Sequence, residues 1–318
     1  MFSRIRKLRE AGVVGMNFRN RKYIMPHNPR HLYALVDDKV RTKLLAQNAG
    51  ISVPALYGVI KTPRAARAFS ELVANKSDFV IKPARGSGGN GILVITEIRG
   101  NKYFKGDGTA LTPVAIEHHI QNILGGVYSL GGQPDQAIVE YRVKFDPIFE
   151  AVSYRGVPDI RVLVYRGVPA MAMLRLPTRK SDGRANLHQG AVGVGINMTS
   201  GVTTSAVCGN KRINEHPDFG TELGNLQIPH WQDILLQSAR CQELAPLGYL
   251  GVDIVLDADL GALMLELNAR PGLAIQIANG RGLQGVLDKI DATIVDSLSV
   301  DGRVALTATV SNSTPAVT

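Results

Sequence analysis

Cysteine and aromatic residues are both scarce in this chain. Its 318 residues include two cysteines, Cys208 and Cys241, and aromatic side chains make up 6% of the total. Two thiols are too few for a disulfide framework, and their spacing to the histidines does not fit a zinc site. The aromatic residues do not alternate with basic ones in the way that stacks nucleic-acid bases. We therefore expect reduced thiols and no nucleic-acid partner.

Long apolar runs are also missing. No stretch approaches the roughly 18 apolar residues that cross a bilayer, and no apolar signal-peptide segment follows the basic first residues. We therefore expect a cytoplasmic protein without a membrane span. Much of the net charge of +9 lies before residue 50. Residues 1–36 are accordingly predicted to form a basic N-terminal arm that contacts an acidic partner.

A glycine-rich segment, residues 84–91, lies between two apolar runs of strand composition. Its glycines permit positive φ angles, so successive backbone N–H groups can converge on phosphate oxygens, and Lys82 before them can add a positive charge. The lysine precedes the glycines and a strand follows them, unlike the Walker loop and the dinucleotide fingerprint. The segment predicts a phosphate loop of another type, although a flexible turn has the same composition.

A second pattern predicts a metal site. Segments with short apolar runs at residues 251–255 and 265–273 flank the polar turn 257–261, which indicates a β-hairpin. Asp253 lies on the first strand, while Glu266 and Asn268 share one face of the second. Carboxylate and amide oxygens suit Mg²⁺, which often binds nucleotide phosphates as well. The alternative is that Asp253 begins a turn and Glu266 is an ordinary exposed strand residue.

Six motifs in order resemble those of the ATP-grasp superfamily. They lie at residues 37–45, 80–91, 139–141, 159–164, 251–253 and 265–272. Within the resemblance, which runs from residue 32 to about residue 285, Arg175 and residues 184–191 are most similar to the ribosomal-protein glutamate ligases and the alpha-L-glutamate ligase-like proteins. The resemblance implies an α/β (α+β) ATP-grasp fold whose two subdomains hold ATP between their sheets.

The resemblance also assigns a role to each matched residue. The implied ATP contacts are Lys39, Lys82, Gly86, Ser87, Gly88, Gly89, Glu140, Tyr141, Asp159, Arg184 and Asn186, with Glu140 and Tyr141 at the adenine. The implied metal ligands are Asp253, Glu266 and Asn268, which would hold two Mg²⁺ ions, and Mn²⁺ could substitute. The implied catalytic residues, which stabilise charge on the transferring phosphoryl group, are Arg161, Arg175 and Arg270.

Simpler interpretations of these residues stay open. Arg161 and Arg175 could be structural ion-pair partners, and we expect the side chain of Arg161 to point away from that of Asp159 on their shared strand. Lys39, Arg41 and Lys43 could belong to a solvated helix face, since apolar neighbours supply a buried stripe. Neither simpler interpretation requires a ligand.

The domain organisation follows from the order of the motifs. Residues 1–36 would be the basic arm, a reduced or missing pre-ATP-grasp domain, and residues 37–141 the N-terminal ATP-grasp subdomain with the glycine-rich loop. Residues 142–295 would be the C-terminal subdomain with the metal site. The Thr-, Ser-, Ala- and Val-rich residues 296–318 predict a weakly ordered tail. Helices are predicted at residues 38–49, 63–75, 113–124 and 229–245.

The implied function is that of an ADP-forming, ATP- and Mg²⁺-dependent carboxylate–amine ligase. It would add an amino acid such as glutamate, or another amine, to a peptide or protein carboxylate through an acyl phosphate. Two alternatives remain: a sugar-transfer-associated ATP-grasp enzyme and a non-catalytic nucleotide-binding module. The sequence is compatible with an oligomer.

Overall fold

The computed structural model describes residues 2–86 and 88–311. Its α-helices are α1 (Phe2–Glu10), α2 (Met16–Arg19), α3 (Met25–His27), α4 (Lys39–Asn48), α5 (Pro63–Arg67), α6 (Phe69–Leu72), α7 (Pro113–Leu124), α8 (Trp231–Leu244), α9 (Ala274–Ala278), α10 (Gln284–Asp291) and α11 (Val300–Ser311). A π-helix covers Asn20–Ile24, and 3-10 helices cover Arg30–Leu35, Leu130–Gly132, Pro147–Val152 and Leu187–Gln189.

The strands form antiparallel sheets. They are β1 (Leu56–Ile60), β2 (Phe79–Pro83), β3 (Leu93–Ile95), β4 (Glu97–Arg99), β5 (Lys102–Phe104), β6 (Ala110–Leu111), β7 (Ala137–Glu140), β8 (Asp159–Tyr165), β9 (Val168–Leu176), β10 (Val192–Ile196), β11 (Thr203–Cys208), β12 (Lys211–Ile213), β13 (Tyr249–Asp257) and β14 (Gly261–Asn268). The sheet orders are β1-β7-β2-β3, β12-β11-β10-β9-β8-β13-β14 and β4-β5-β6.

The chain divides into two compact units. The larger unit comprises Met1–Val36, Leu45–Ser52 and Lys144–Thr318, and the smaller unit comprises Asp37–Leu44 and Val53–Val143. Within the described residues, no helix has the length and apolar character needed to cross a membrane.

The smaller unit is built on the four-stranded sheet. Thr112 caps α7 by accepting a hydrogen bond from the Ala115 N–H, and Pro113 occupies the first turn, as helix starts favour. The apolar face of α7 packs with Phe79 and Ile81 of β2 in one core. The helix predicted at 113–124 is therefore confirmed. The helix predicted at 63–75 is interrupted, because Ala68 has a φ of −94° and a ψ of 12° between α5 and α6.

The larger unit is built on the seven-stranded sheet, in which β9 and β13 are buried throughout and β8 at every position except Arg161. The predicted weakly ordered tail was wrong for part of its length. Val304 and Val310 of α11 are buried, and the Thr307 hydroxyl donates to the Pro169 carbonyl at 3.1 Å. Burial of apolar side chains outweighs the weak helix propensity of Thr and Val here. Residues 312–318 lie outside the described part of the chain.

The N-terminal region also differs from a simple basic arm. Val14, Tyr23 and Ile24 belong to the core of the larger unit. The Tyr23 ring meets Tyr165 edge-on at 5.5 Å and lies parallel to Tyr249 at 6.5 Å. Residues 14–24 are therefore structural, and a role in contacting an acidic partner stays a prediction for the exposed part of α1.

His216 in the larger unit is buried, and both of its ring nitrogens have hydrogen-bond partners. Its Nε2 lies 3.2 Å from the Pro177 carbonyl, and its Nδ1 accepts from the Asp218 N–H at 3.2 Å, a pattern that requires the neutral ring. Burial lowers the pKa of His216 below its ordinary value, although the Pro177 carbonyl opposes the shift. The unfolded chain therefore binds a proton more readily than the folded chain as the pH falls.

We expect the free energy of unfolding to decrease as the pH falls through the ordinary histidine range, and to decrease less in His216→Gln. Urea unfolding at pH 7.5 and 5.5 measures this difference. His31→Gln, at an exposed position, serves as the matched control and should behave as the wild type. An identical pH dependence in His216→Gln would contradict the assignment.

Candidate functional site

The glycine-rich loop of the smaller unit connects β2 to β3. Gly88, Gly89 and Gly91 have φ angles of 66°, 79° and 75°, the left-handed region that side chains disfavour. The strand–loop–strand arrangement and the need for glycine are thus confirmed. Ser87 lies outside the described residues, so its proposed ATP contact stays a prediction.

Lys39, at the start of α4, contacts the beginning of this loop. Its Nζ donates to the Gly86 carbonyl at 2.7 Å, and its backbone N–H donates to the Ala84 carbonyl at 3.1 Å. A Cβ atom at Gly86 would lie 2.3 Å from Pro83 Cγ, so the close approach requires glycine. Lys39 therefore lies against the glycine-rich loop rather than on a freely solvated helix face, and its phosphate contact stays a prediction.

Lys82 and Lys43 share one buried carboxylate, that of Glu140. Lys82 Nζ lies 2.5 Å from Glu140 Oε1, and Lys43 Nζ lies 2.6 Å from Glu140 Oε2. Lys43 Nζ also donates to the Pro54 carbonyl at 2.6 Å. We call these three residues the lysine–glutamate cluster. All of them are buried, so the alternative of a solvated face was wrong for Lys43.

The electrostatics of this cluster follow from its burial. Burial lowers the pKa of Lys43 to about 8, although Glu140 opposes the shift. Burial raises the pKa of Glu140, but attraction to Lys82 and Lys43 outweighs it and holds the pKa below its usual value. Lys43 was predicted as a solvated helix residue and not as part of the site, although its spacing of four from Lys39 places both on one helix face.

The predicted adenine contacts lie at the end of β7. The Tyr141 N–H donates to the Ala55 carbonyl at 2.8 Å, and the Glu140 carboxylate is engaged by the two lysines. The adenine role of both residues stays a prediction.

In the larger unit, strand register brings three predicted residues into one row. Arg161 on β8 lies opposite Asp253 on β13, which lies opposite Glu266 on β14. Both Asp253 oxygens accept from Arg161, with Nε to Oδ1 at 2.7 Å and Nη2 to Oδ2 at 2.6 Å. This bidentate geometry is a strong form of ion pair.

Arg175 on β9 completes this arrangement, which we call the carboxylate–arginine cluster. Its Nη2 donates to Asp159 Oδ2 at 2.6 Å and to Asp253 Oδ2 at 2.8 Å, and its Nε donates to Asp159 Oδ1. The expectation that Asp159 and Arg161 point apart was wrong, because side chains two positions apart share a face. These contacts match the ion-pair alternative, and catalytic roles for Arg161 and Arg175 stay predictions.

Asn268 joins the cluster from β14. Its Nδ2 lies 3.3 Å from Asp253 Oδ2 and 3.4 Å from Glu266 Oε1, so the three predicted metal ligands converge. A β-bulge accompanies the convergence, since Asp253 pairs with Glu266 while Ile254 pairs with Met264, leaving Leu265 as the extra residue. Bulges often re-aim side chains beside functional sites.

The donor set fits Mg²⁺ in its chemistry. In the described part of the chain, no group of three or more His, Cys, Asp or Glu side chains has the arrangement of a metal site. A metal ion at this position would therefore use the Asn268 amide in addition to the Asp253 and Glu266 carboxylates. Rotation of the amide group exchanges its nitrogen and oxygen and so would present the oxygen as a ligand. Oxygen ligands of this kind suit a hard cation.

In the carboxylate–arginine cluster, the two arginines hold Asp253 in its ionised form. Burial raises its pKa, but attraction to Arg161 and Arg175 outweighs burial and holds the pKa well below the usual range. For Asp159, burial raises the pKa to about 7 despite the opposing attraction of Arg175, and repulsion from Asp253 adds to the rise. Asp253 therefore remains ionised more readily than Asp159.

The remaining predicted residues lie in loops. Arg270, which is exposed, holds its guanidinium 5.2 Å from the centre of the Tyr33 ring. Asn186 uses its side-chain oxygen to accept from the His188 N–H at 3.0 Å, and Arg184 Nη1 lies 3.5 Å from Gln189 Oε1. The predicted roles of Arg184 and Asn186 near the nucleotide and acceptor stay predictions.

The chain matches one known family over most of its length. The model of the family described as sugar-transfer associated ATP-grasp matches residues 18–292, most of the chain. The chain belongs to this family. Membership in the sugar-transfer-associated ATP-grasp family confirms the superfamily and the fold class predicted from the six motifs. It corresponds to the alternative relationship considered above, and the closer relationship to the glutamate ligases stays a prediction.

Solved structures similar to this chain include an ATP-grasp ligase and a synthetase. The ATP-grasp ligase PsnB, complexed with minimal precursor, Mg and ADP, is 17% identical with a TM-score of 0.47, and the match covers 84% of this chain and 61% of that one. The D-cycloserine synthetase DcsG is 14% identical with a TM-score of 0.43, and the match covers 78% of this chain and 67% of that one. The chain thus spans about three fifths of PsnB. No curated protein matches the sequence.

Proposed function

We propose that the protein is an ATP- and Mg²⁺-dependent ligase that joins a carboxylate to an amine and releases ADP and phosphate. The convergence of Asp253, Glu266 and Asn268 beside two arginines carries the proposal. Phosphoryl transfer depends on positioning and charge neutralisation more than on a protein nucleophile, and this cluster provides both. Membership in an ATP-grasp family supports ATP as the nucleotide.

Phosphate binding is proposed for the smaller unit. Two lysines share the single carboxylate of Glu140, so the lysine–glutamate cluster keeps one net positive charge in a buried setting. A phosphate oxygen is a suitable further partner for Lys82 because buried charge is costly unless it is compensated. Lys39 and the N–H groups of the glycine-rich loop would add contacts of the kind that oriented backbone amides make with anions.

Metal binding is proposed for the larger unit. Asp253, Glu266 and Asn268 would hold one or two Mg²⁺ ions, and a bound ion would neutralise charge on the phosphates during transfer. Arg161 and Arg175 keep Asp253 ionised and oriented. Arg270 is exposed, and its guanidinium would stabilise charge on the transferring phosphoryl group directly.

The proposed reaction has two balanced steps. A substrate carboxylate oxygen attacks the γ-phosphorus, the bond to the β–γ bridging oxygen breaks, and ADP leaves as an acyl phosphate forms. An amine nitrogen then attacks the acyl carbon, phosphate leaves with the C–O bonding pair, and the nitrogen loses a proton to give the amide. No protein nucleophile enters either step.

The substrates are proposed by chemical class. The amine would be an amino acid such as glutamate, and the carboxylate would belong to a peptide or protein. The family description favours a second candidate, in which a sugar of a polysaccharide pathway carries the carboxylate or the amine.

Incubation of the purified protein with ATP, Mg²⁺ and pooled amino acids tests the proposal. One arm adds a peptide fraction, another adds uronic acids and amino sugars, and a third adds neither. We expect ADP only when both substrates are present, and a product whose mass is their sum less one water. ATP binding without ADP in every arm would favour a non-catalytic nucleotide-binding module instead.

A further inference from the structure

Arg19 connects the N-terminal region to the candidate site. Its side chain is buried, and its Nη1 donates to the Pro271 carbonyl at 2.7 Å. Its Nε and Nη2 donate to Asn20 Oδ1 at 3.1 and 2.9 Å. A buried guanidinium is costly without such partners, so its position is well determined. Arg19 therefore fixes the carbonyl that lies three residues beyond Asn268.

Asn28 holds the same loop at a second point. Its Nδ2 donates to the Ala269 carbonyl at 3.0 Å and to the Tyr249 carbonyl at 2.8 Å, and its Oδ1 accepts from the Tyr249 N–H at 2.9 Å. Asn28 is buried and uses both of its donors. It thereby ties the start of β13 to the residue between Asn268 and Arg270.

Tyr33 contacts Arg270, the residue between Ala269 and Pro271. The guanidinium of Arg270 lies 5.2 Å from the Tyr33 ring centre, within the range of a cation–π interaction. Ala269, Arg270 and Pro271 are thus each contacted by one side chain from the N-terminal region. Three successive contacts of different chemistry leave the loop little freedom to change its path.

We propose that Arg19, Asn28 and Tyr33 are positioning residues for residues 269–271. They fix the backbone that leaves β14 and so hold Asn268 toward the carboxylates and Arg270 in one direction. The expected effect on catalysis rests on the proposed function, whereas the positioning itself rests on the three contacts. A small error in the placement of reacting groups lowers a rate strongly without changing what the protein binds.

Hydrogen exchange tests the positioning without requiring any reaction. In Arg19→Met we expect amide exchange in a peptide covering residues 265–276 to rise about tenfold, because local opening no longer has to break the contact with Pro271. Exchange at residues 192–196 of β10 should stay unchanged. Arg19→Lys retains a donor for the Pro271 carbonyl and should restore slow exchange. If Arg19→Met does not fold, Tyr33→Leu and Tyr33→Phe provide the test instead. Tyr33 is half-buried, and the first variant removes its ring whereas the second keeps it.

Kinetics test the consequence for the site. We expect Arg19→Met and Tyr33→Leu to lower kcat about tenfold while the KM for ATP stays within about twofold, and the conservative variants to remain near the wild type. Unchanged exchange at residues 265–276 in both disruptive variants, or an equal rise at residues 192–196, overturns the inference. If the wild type forms no ADP with any substrate pool, the proposed function fails, whereas the exchange measurement still decides the positioning.

Discussion

Replacement of Glu266 with alanine is expected to lower Mg²⁺-dependent ADP formation a hundredfold or more. Loss of one group that stabilises charge in a phosphoryl-transfer transition state costs on the order of 2–4 kcal/mol, which corresponds to that factor. Glu266 is the informative choice because it is half-buried at the end of β14. Removal of Asp253 would instead leave Arg161 and Arg175 without their shared carboxylate and so disturb the fold.

The measurement compares steady-state rates of ADP formation over a range of Mg²⁺ concentrations. Asp259→Ala provides the matched control, since this carboxylate lies on the turn of the same hairpin and its side chain is 69% exposed. The control should remain within about twofold of the wild type, as surface substitutions usually do. A wild-type rate for Glu266→Ala, with a normal unfolding curve, would remove Glu266 from the metal site.

Glu140→Gln is expected to reduce the free energy of unfolding by about 3–5 kcal/mol, the usual cost of removing one partner from a buried ion pair. Two buried ammonium groups depend on this carboxylate, with separations of 2.5 and 2.6 Å. The neutral amide leaves both charges without compensation. Urea unfolding measures the change.

Glu97→Gln is the matched control for Glu140→Gln, because Glu97 pairs with Arg99 on the surface. Solvent screens an exposed ion pair, so only a small change is expected. The double variant Lys43→Met/Glu140→Gln should recover part of the lost stability, since it removes one of the uncompensated charges. Equal losses for Glu140→Gln and Glu97→Gln would contradict the importance of the buried cluster.

Short-range patterns were the part of the structure that the sequence predicted well. The hairpin of β13 and β14, the helix α7 and the glycine-rich loop follow from alternation, capping residues and glycine content. Convergence of Glu266 with Asn268 followed from the same alternation. These features depend on neighbours within a few residues, where propensity and periodicity apply.

Long-range pairings were not predictable in the same way. The contacts of Arg175 with Asp159 and Asp253 depend on the register of three strands, which one sequence does not specify. The burial of Lys43 depends on Glu140, almost a hundred residues away along the chain. The helix α11 was missed because its Thr- and Val-rich composition is a weak signal and tertiary burial decides its structure.

The bulge at Leu265 divides β14 into two segments. The side chains of the two segments do not follow one continuous alternating pattern. Toward the turn, Leu263 and Met264 are buried, whereas beyond the bulge Glu266 faces Asp253. A regular strand links these requirements, because a one-residue slip turns every side chain to the opposite face. The extra residue lets Leu263 and Met264 stay in the core while Glu266 keeps its place opposite Asp253. Deletion of Leu265 would therefore force one half of β14 to turn its side chains to the opposite face.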